Sequence, residues 1–248
     1  MADLSAPVSR HPRIPALDIA RTGALVAMAL YHFVYDLELF GYLAPGTAVT
    51  GGWRALAIAT ASSFLFLAGV SLWLAHGDGL RARGFLKRLA MIAGAAALIT
   101  IATYVAIPQG FIFFGILHCI ALSSVLGLAV LRLPDWALAA LAAGVLWLGL
   151  QPGFSLLDAP VFWWTGLQAV PTPSVDYVPI FPWFAAFLAG MALAKAMDRA
   201  GVWAWLSARD TAPVWSRLGW PGRHSLAIYL VHQPVLIGAI WVFAFLTR

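Results

Sequence analysis

Seven apolar runs, each close to the length a helix needs to cross a bilayer, constrain this chain more than any other feature. A hydrocarbon core of about 30 Å takes about 20 helical residues, and only helices or closed barrels satisfy their backbone inside it. The runs fall at roughly 16 to 40, 53 to 76, 88 to 107, 111 to 131, 134 to 150, 179 to 198 and 224 to 246. The period-2 alternation of a barrel is absent. The expected fold is all-α: a polytopic membrane helix bundle of about seven transmembrane helices. Composition agrees, because 62% of residues are hydrophobic and 10% charged, whereas soluble proteins are about a quarter charged. A soluble nucleic-acid binder is excluded even though the net charge is +5. One cysteine, Cys119, excludes an internal disulfide and a cysteine-based metal cluster. No internal repeat is found, which gives a duplicated transporter architecture little support.

Basic residues set the orientation. With the N-terminus in the cytoplasm, Arg10, Arg13, Arg81, Arg83, Lys87, Arg88, Arg132, Lys195, Arg199, Arg209, Arg217 and Arg223 fall inside, 12 of the 15. Arg54 and Arg248 fall outside, and Arg21 lies within a span. The opening MADLSAPVSRHPRIPA is polar, and the span after it has no small-residue cleavage site, so a retained helix is expected and not a signal peptide. The expected layout is a cytoplasmic segment 1–15 and a single transmembrane domain 16–248, multi-pass in the inner (plasma) membrane. Residues 151–178, rich in Pro and aromatics, read as an outer interfacial cap. Residues 199–223 read as an amphipathic stretch on the cytoplasmic face, and residues 81–88 as a basic loop. The small-residue patch AGAAA permits a helix interface, hence a homo-oligomer.

Ionisable groups inside a span are costly and normally face the bundle interior or a wet cavity. The first span has four: Asp18, Arg21, His32 and Asp36. At 100° per residue they fall within about 60° of one another, with Leu25 and Met28 filling the stripe. Asp18 and Asp36 are about 27 Å apart along the axis, so one face of this helix is expected to be the wall of a pathway. Asp18 with Arg21 reads either as an ion pair at the helix start or as part of a site. His32 and Asp36, at i and i+4, read either as a core histidine satisfied by a carboxylate or as a base oriented by one.

His118, in FIFFGILHCIAL, reads equally as structural or functional. In the last span, Ser225, Tyr229 and His232 share a face, with Gln233 beside them and Arg223 and His224 at the cytoplasmic entrance. Pro234 frees the Leu230 carbonyl from its helical bond. Asp176 and Tyr177 sit at the outer mouth of the sixth span, where they can meet a polar ligand or Asp176 can cap that helix.

The segments RIPALDIARTGALVAMALYHFVYDL, SFLFLAGVSLWL, FFGILHCIAL, DYVPIFPWFAAFLAG and GRHSLAIYLVHQPVL resemble, in order and spacing, the bacterial heparan-α-glucosaminide N-acetyltransferase-like family. That family is itself similar to the wider transmembrane acyltransferases, whose opening motif is also an LD, an RG and a downstream His. The resemblance runs from Arg13 to about Leu236. In one departure, Thr22 follows Arg21 where the family usually has Gly, with Gly23 one place on, which leaves open how the backbone approaches closely at that turn. The resemblance implies a multi-pass enzyme that moves an acyl group, commonly acetyl, from cytoplasmic acyl-CoA to a sugar amine or hydroxyl on the far side, with His32 as the catalytic histidine. The heparan substrate is not carried over.

The residues suit that chemistry. His32 with Asp36 supplies a base, and His118 or His232 charge stabilisation at a developing oxyanion. Asp176, Tyr229 and Gln233 are further candidates for contact with the acceptor. Arg21, Arg223 and His224 lie where the phosphates of acetyl-CoA would be met. Neither a metal nor haem is expected, and the partners implied are the bilayer, acyl-CoA and a sugar or glycoconjugate, with no nucleic acid. The competing class is a proton-coupled transporter or flippase, whose His and Asp residues would relay protons without acyl transfer. A b-haem carrier lacks repeated His pairs on shared helices. A retinal protein lacks a lysine deep in the last span.

Overall fold

The computed structural model describes residues 14–209 and 213–247. Arg10, Arg13 and Arg248, counted in the charge asymmetry, lie outside the described residues, as does most of the segment 1–15. The described chain is helical, with no strand among the described residues. In order it forms α1 (Pro15–Leu39), α2 (Gly51–His76), α3 (Ala82–Ala106), α4 (Ile116–Val130), α5 (Asp135–Gly149), α6 (Ile180–Arg199), α7 (Val202–Arg209), α8 (Pro213–Leu218), α9 (Trp220–Arg223) and α10 (Ser225–Thr247).

Every expected apolar run contains a helix, and α1, α2, α3, α6 and α10 are long and apolar enough to cross a membrane. The helices α4 and α5 are apolar but have 15 residues each, about 22 Å at 1.5 Å per residue. The late start of α4 has a local cause. Residues 111–115 are drawn off the helical path because Thr103 Oγ1 accepts the Ile112 N–H at 3.0 Å and Thr100 donates to the Ile112 carbonyl at 2.7 Å. The expected basic loop 81–88 is a helix for most of its length: Arg83, Lys87 and Arg88 occupy the first turns of α3.

The chain divides into two compact units, one built on Leu65–Trp205 and the other on Ile14–Phe64 with Leu206–Arg248; the division falls inside α2. The core of the first unit is α6, whose Phe187, Leu188, Met191 and Ala194 are fully buried. Here glycines let backbones touch. A Cβ on Gly69 of α2 would lie 2.0 Å from the Phe187 carbonyl oxygen, and one on Gly190 of α6 would lie 2.1 Å from that of Phe66. This reciprocal contact is the small-residue packing that membrane helices use in place of a hydrophobic driving force. Gly127 of α4 meets Leu72, Phe187 and Met191 in the same way. Residues 151–178 form a loop segment, with two short 3-10 turns, held by its own hydrogen bonds. Asp158 Oδ1 accepts the Ala169 N–H at 2.7 Å, and the Tyr177 hydroxyl accepts from Gln168 at 2.7 Å while donating to the Trp163 carbonyl.

In the second unit α1 and α10 run side by side in the same direction. Thr22 meets Gly222 and His32 meets His232. Gly222 lies in α9 and His232 in α10, and the contacts advance in the same order along both segments, through Asp36 and Gln233 as well. The buried residues of α1 are Asp18, Ala24, Leu25, Met28, Val34 and Asp36, so the polar stripe read from the sequence is largely the packed face. Glu38 closes the turn after α1 by accepting the Gly46 and Ala48 N–H groups at 2.6 and 2.7 Å.

Candidate active site

The second unit gathers His32 and Asp36 from α1 with Tyr229, His232 and Gln233 from α10. The His32 and His232 rings meet edge to face, with centroids 4.9 Å apart and planes at 61°. Gln233 Nε2 donates to Asp36 Oδ1 at 2.7 Å, and the Asp36 side chain is fully buried. The i, i+4 hydrogen bond expected between His32 and Asp36 is not made: the Asp36 carboxylate bonds to Gln233, while His32 Nδ1 is buried without a partner. Both residues point off the same side of α1, and each meets a side chain of α10 before it meets the other.

Eight buried side-chain nitrogen or oxygen atoms among the described residues lack a hydrogen-bond partner, and half of them fall in this cluster: His32 Nδ1, Asp36 Oδ2, His232 Nε2 and Gln233 Oε1. Unpaired buried polar atoms are rare because each costs about 1–3 kcal/mol, so four together single this cluster out among the described residues. Asp36 Oδ2 and Gln233 Oε1 can only accept here, the Gln233 amide being oriented by its bond to Asp36. The aromatic wall consists of Tyr31 and Tyr35, packed against His32 at 5.4 and 6.5 Å between centroids, and Tyr229, 5.6 Å from His232. Sequence reasoning missed Tyr31 and Tyr35; their positions one residue before and three after His32 place them on its flanks.

At the other end of α1 the cations are partly engaged. Arg21 pairs with Asp18 at 2.8 Å, Arg223 donates to the Ser216 carbonyl at 2.7 Å, and the exposed His224 donates from Nδ1 to the Trp220 carbonyl at 3.0 Å. The Thr22 hydroxyl accepts the Gly222 N–H at 3.0 Å and lies 2.9 Å from the Leu218 carbonyl. The close approach that a glycine beside Arg21 would allow is therefore made from the opposite side: a Cβ on Gly222 would lie 1.8 Å from the Asp18 carbonyl oxygen, whereas Gly23 faces open space.

The first unit holds His118 and Asp176. His118 Nδ1 accepts the Gly115 N–H at 3.2 Å, so in the neutral ring the proton sits on Nε2, which donates to Thr100 Oγ1 at 3.2 Å. Thr100 passes its own proton to the Ile112 carbonyl. Both nitrogens of His118 close the start of α4, and neither is left to donate to an oxyanion. Asp176 caps a helix, but that helix is α4: Oδ2 accepts the Ile116 N–H at 3.3 Å across 60 residues of chain. Burial pushes the Asp176 carboxyl up to about 6, against the Ile116 N–H, which pulls it down. Burial also pushes the Tyr177 phenol up. Thr100 escaped notice in the sequence because a threonine in an apolar helix gives no signal of a partner 18 residues on. Among the described residues no group of three or more His, Cys, Asp and Glu is placed to hold a metal ion.

An all-helical membrane protein with a buried cluster of histidine, carboxylate and amide groups is the class that this fold and site define. The chain belongs to the heparan-alpha-glucosaminide N-acetyltransferase catalytic family, whose model matches residues 13–234, and so to a family of membrane transferases. Neither a search of curated proteins nor one of solved structures finds a match to it.

Proposed function

We propose that the protein is an integral membrane acyltransferase that moves an acyl group, acetyl first, from cytoplasmic acyl-CoA to an amine or hydroxyl of a sugar or glycoconjugate on the extracytoplasmic side. The observation that carries this reading is the α1–α10 cluster, where two imidazoles, a carboxylate and an amide leave four buried polar atoms unpaired. Transfer from a thioester needs a base at the acceptor's nucleophile and a dry polar surround, and both are present there. His32 acts as the base; Asp36, Tyr229, His232 and Gln233 line the site. His118 and Asp176, both engaged at the start of α4, keep to that cap. Arg21, Arg223 and His224 meet the phosphates of the CoA.

In the same reading 16–248 is one acyltransferase-like domain of the bacterial inner membrane, N-terminus inside, with α4 and α5 completing seven crossings. The parallel run of α1 and α10 supports this, since two parallel spans need an odd number of crossings between them, and α2 to α6 make five. The lean of basic residues to one side supports the sidedness.

Purified protein in detergent, given radiolabelled acetyl-CoA and a panel of amino sugars, is expected to release CoA, and the His32→Ala variant to release none while melting as the wild type does. Turnover that survives His32→Ala removes His32 from the chemistry. An absence of both CoA release and acetyl-CoA binding in the wild type favours a proton-coupled transporter.

A further inference from the structure

The imidazole pair carries a more specific assignment, which rests on the acyl-transfer reading above. His232 Nδ1 lies 2.5 Å from the Tyr229 carbonyl. A carbonyl oxygen only accepts, so Nδ1 carries a proton. Neutral His232 therefore has its lone pair on Nε2, the atom that is buried with no partner. The ring beside it is His32, whose Nδ1 is likewise buried and unpartnered. An N–H on one of these atoms and a lone pair on the other are complementary. Asp36, four residues on, is the other candidate partner for His32, but it makes no hydrogen bond to that ring: its Oδ1 takes Gln233, and its Oδ2 is unpartnered.

We propose that His232, and not Asp36, is the proton partner of His32. His32 keeps its resting proton on Nδ1 and presents the Nε2 lone pair to the acceptor. As the acceptor's nucleophile bonds to the thioester carbon, its proton goes to His32 Nε2, and the Nδ1 proton goes on to His232 Nε2. At a centroid spacing of 4.9 Å with the rings edge to face, a modest ring rotation or one bridging water closes the gap. The carbon–sulfur bond breaks with its electron pair on sulfur, leaving a thiolate and an imidazolium. The return path restores both rings: His32 Nε2 gives its proton to the thiolate, and His232 Nε2 hands its own back to His32 Nδ1. The aromatic residues Tyr31, Tyr35 and Tyr229 pack around the pair. His232 acts through His32 and positions the proton.

Three readouts test this. In His232→Gln, kcat for CoA release is expected to fall at least 100-fold with KM for acetyl-CoA within threefold of wild type. In His232→Gly, added imidazoles are expected to restore turnover at rates that rise with their basicity, which a purely structural cavity filler would not do. Nitrogen-15 spectra of the histidine-labelled wild type without substrate, with the His232 signals identified by their loss in His232→Gln, are expected to show Nδ1 protonated and Nε2 bare. Turnover within threefold of wild type in His232→Gln, rescue indifferent to basicity, or the opposite tautomer overturns the assignment while leaving acyl transfer standing. No turnover in the wild type overturns acyl transfer and takes the relay with it.

Discussion

Replacing Gly222 by alanine adds one methyl group at the tightest contact of the second unit. The new Cβ would lie 1.8 Å from the Asp18 carbonyl oxygen, 2.8 Å from the Asp18 carbonyl carbon and 3.1 Å from Arg21 Cβ. The first two atoms are backbone in α1 and cannot swing aside, so α9 has to retreat by more than 1 Å to reach ordinary van der Waals distance. Forcing a methyl into a packed contact costs about 1–3 kcal/mol. The retreat also stretches the 3.0 Å bond from the Gly222 N–H to Thr22, whose loss adds about 1 kcal/mol. A loss of roughly 2–4 kcal/mol follows for Gly222→Ala, read as a lower melting temperature in detergent. Gly238→Ala on α10 is the control, because its Cβ meets nothing within 4 Å and alanine favours a helix by up to about 1 kcal/mol. If Gly222→Ala melts with Gly238→Ala, the close approach of α9 to α1 does not carry the weight given to it.

Asp176 gives the pH dependence of stability a definite sign. Its carboxyl is raised from 3.8 to about 6 by burial, so the folded state binds the proton more tightly than the unfolded chain does. Its stabilising contribution is complete below pH 3.8 and is lost as pH rises through about 6. Melting curves from pH 4 to 7 are expected to slope downward in the wild type and to flatten over that window in Asp176→Asn; parallel slopes would refute the burial argument. Glu38→Ala removes the acceptor of the Gly46 and Ala48 N–H groups, so the exchange of those two amides is expected to quicken at least tenfold, and unchanged rates would contradict the role assigned to Glu38.

The helices were legible because membrane crossing imposes one length and one polarity on every span. The buried face of α1 was legible for a related reason: Asp18, Leu25, Met28 and Asp36 repeat at helical spacing, and a charged residue inside a span has few places to go. Partners were less legible than faces. The i, i+4 rule paired His32 with Asp36, yet the carboxylate bonds to Gln233, 197 residues away. No local pattern encodes that choice, which is made by the packing of α10 on α1. The same holds for Asp176, expected at α6 and found at α4, and for Thr22, whose departure from the family's glycine is answered by Gly222 from the other end of the chain.

The histidines separate by what their second nitrogen does. In the sequence His118 is a lone imidazole in an apolar helix, and His232 stands beside Gln233 and Pro234 on a face with Ser225 and Tyr229. In the structure His118 accepts at one nitrogen and donates at the other, so its protonation state is closed by its own helix start. His232 donates at Nδ1 to its own helix and leaves Nε2 bare in a buried place. A bare lone pair held at a fixed point and shielded from water is what proton transfer requires, and a closed ring cannot provide it. The acceptor character of the rest of the α1–α10 cluster follows from the same accounting, since Asp36 Oδ2 and Gln233 Oε1 have no donor while His232 Nε2 faces His32. In the proposed reading, the N–H or O–H of the acceptor is what would meet these two oxygens.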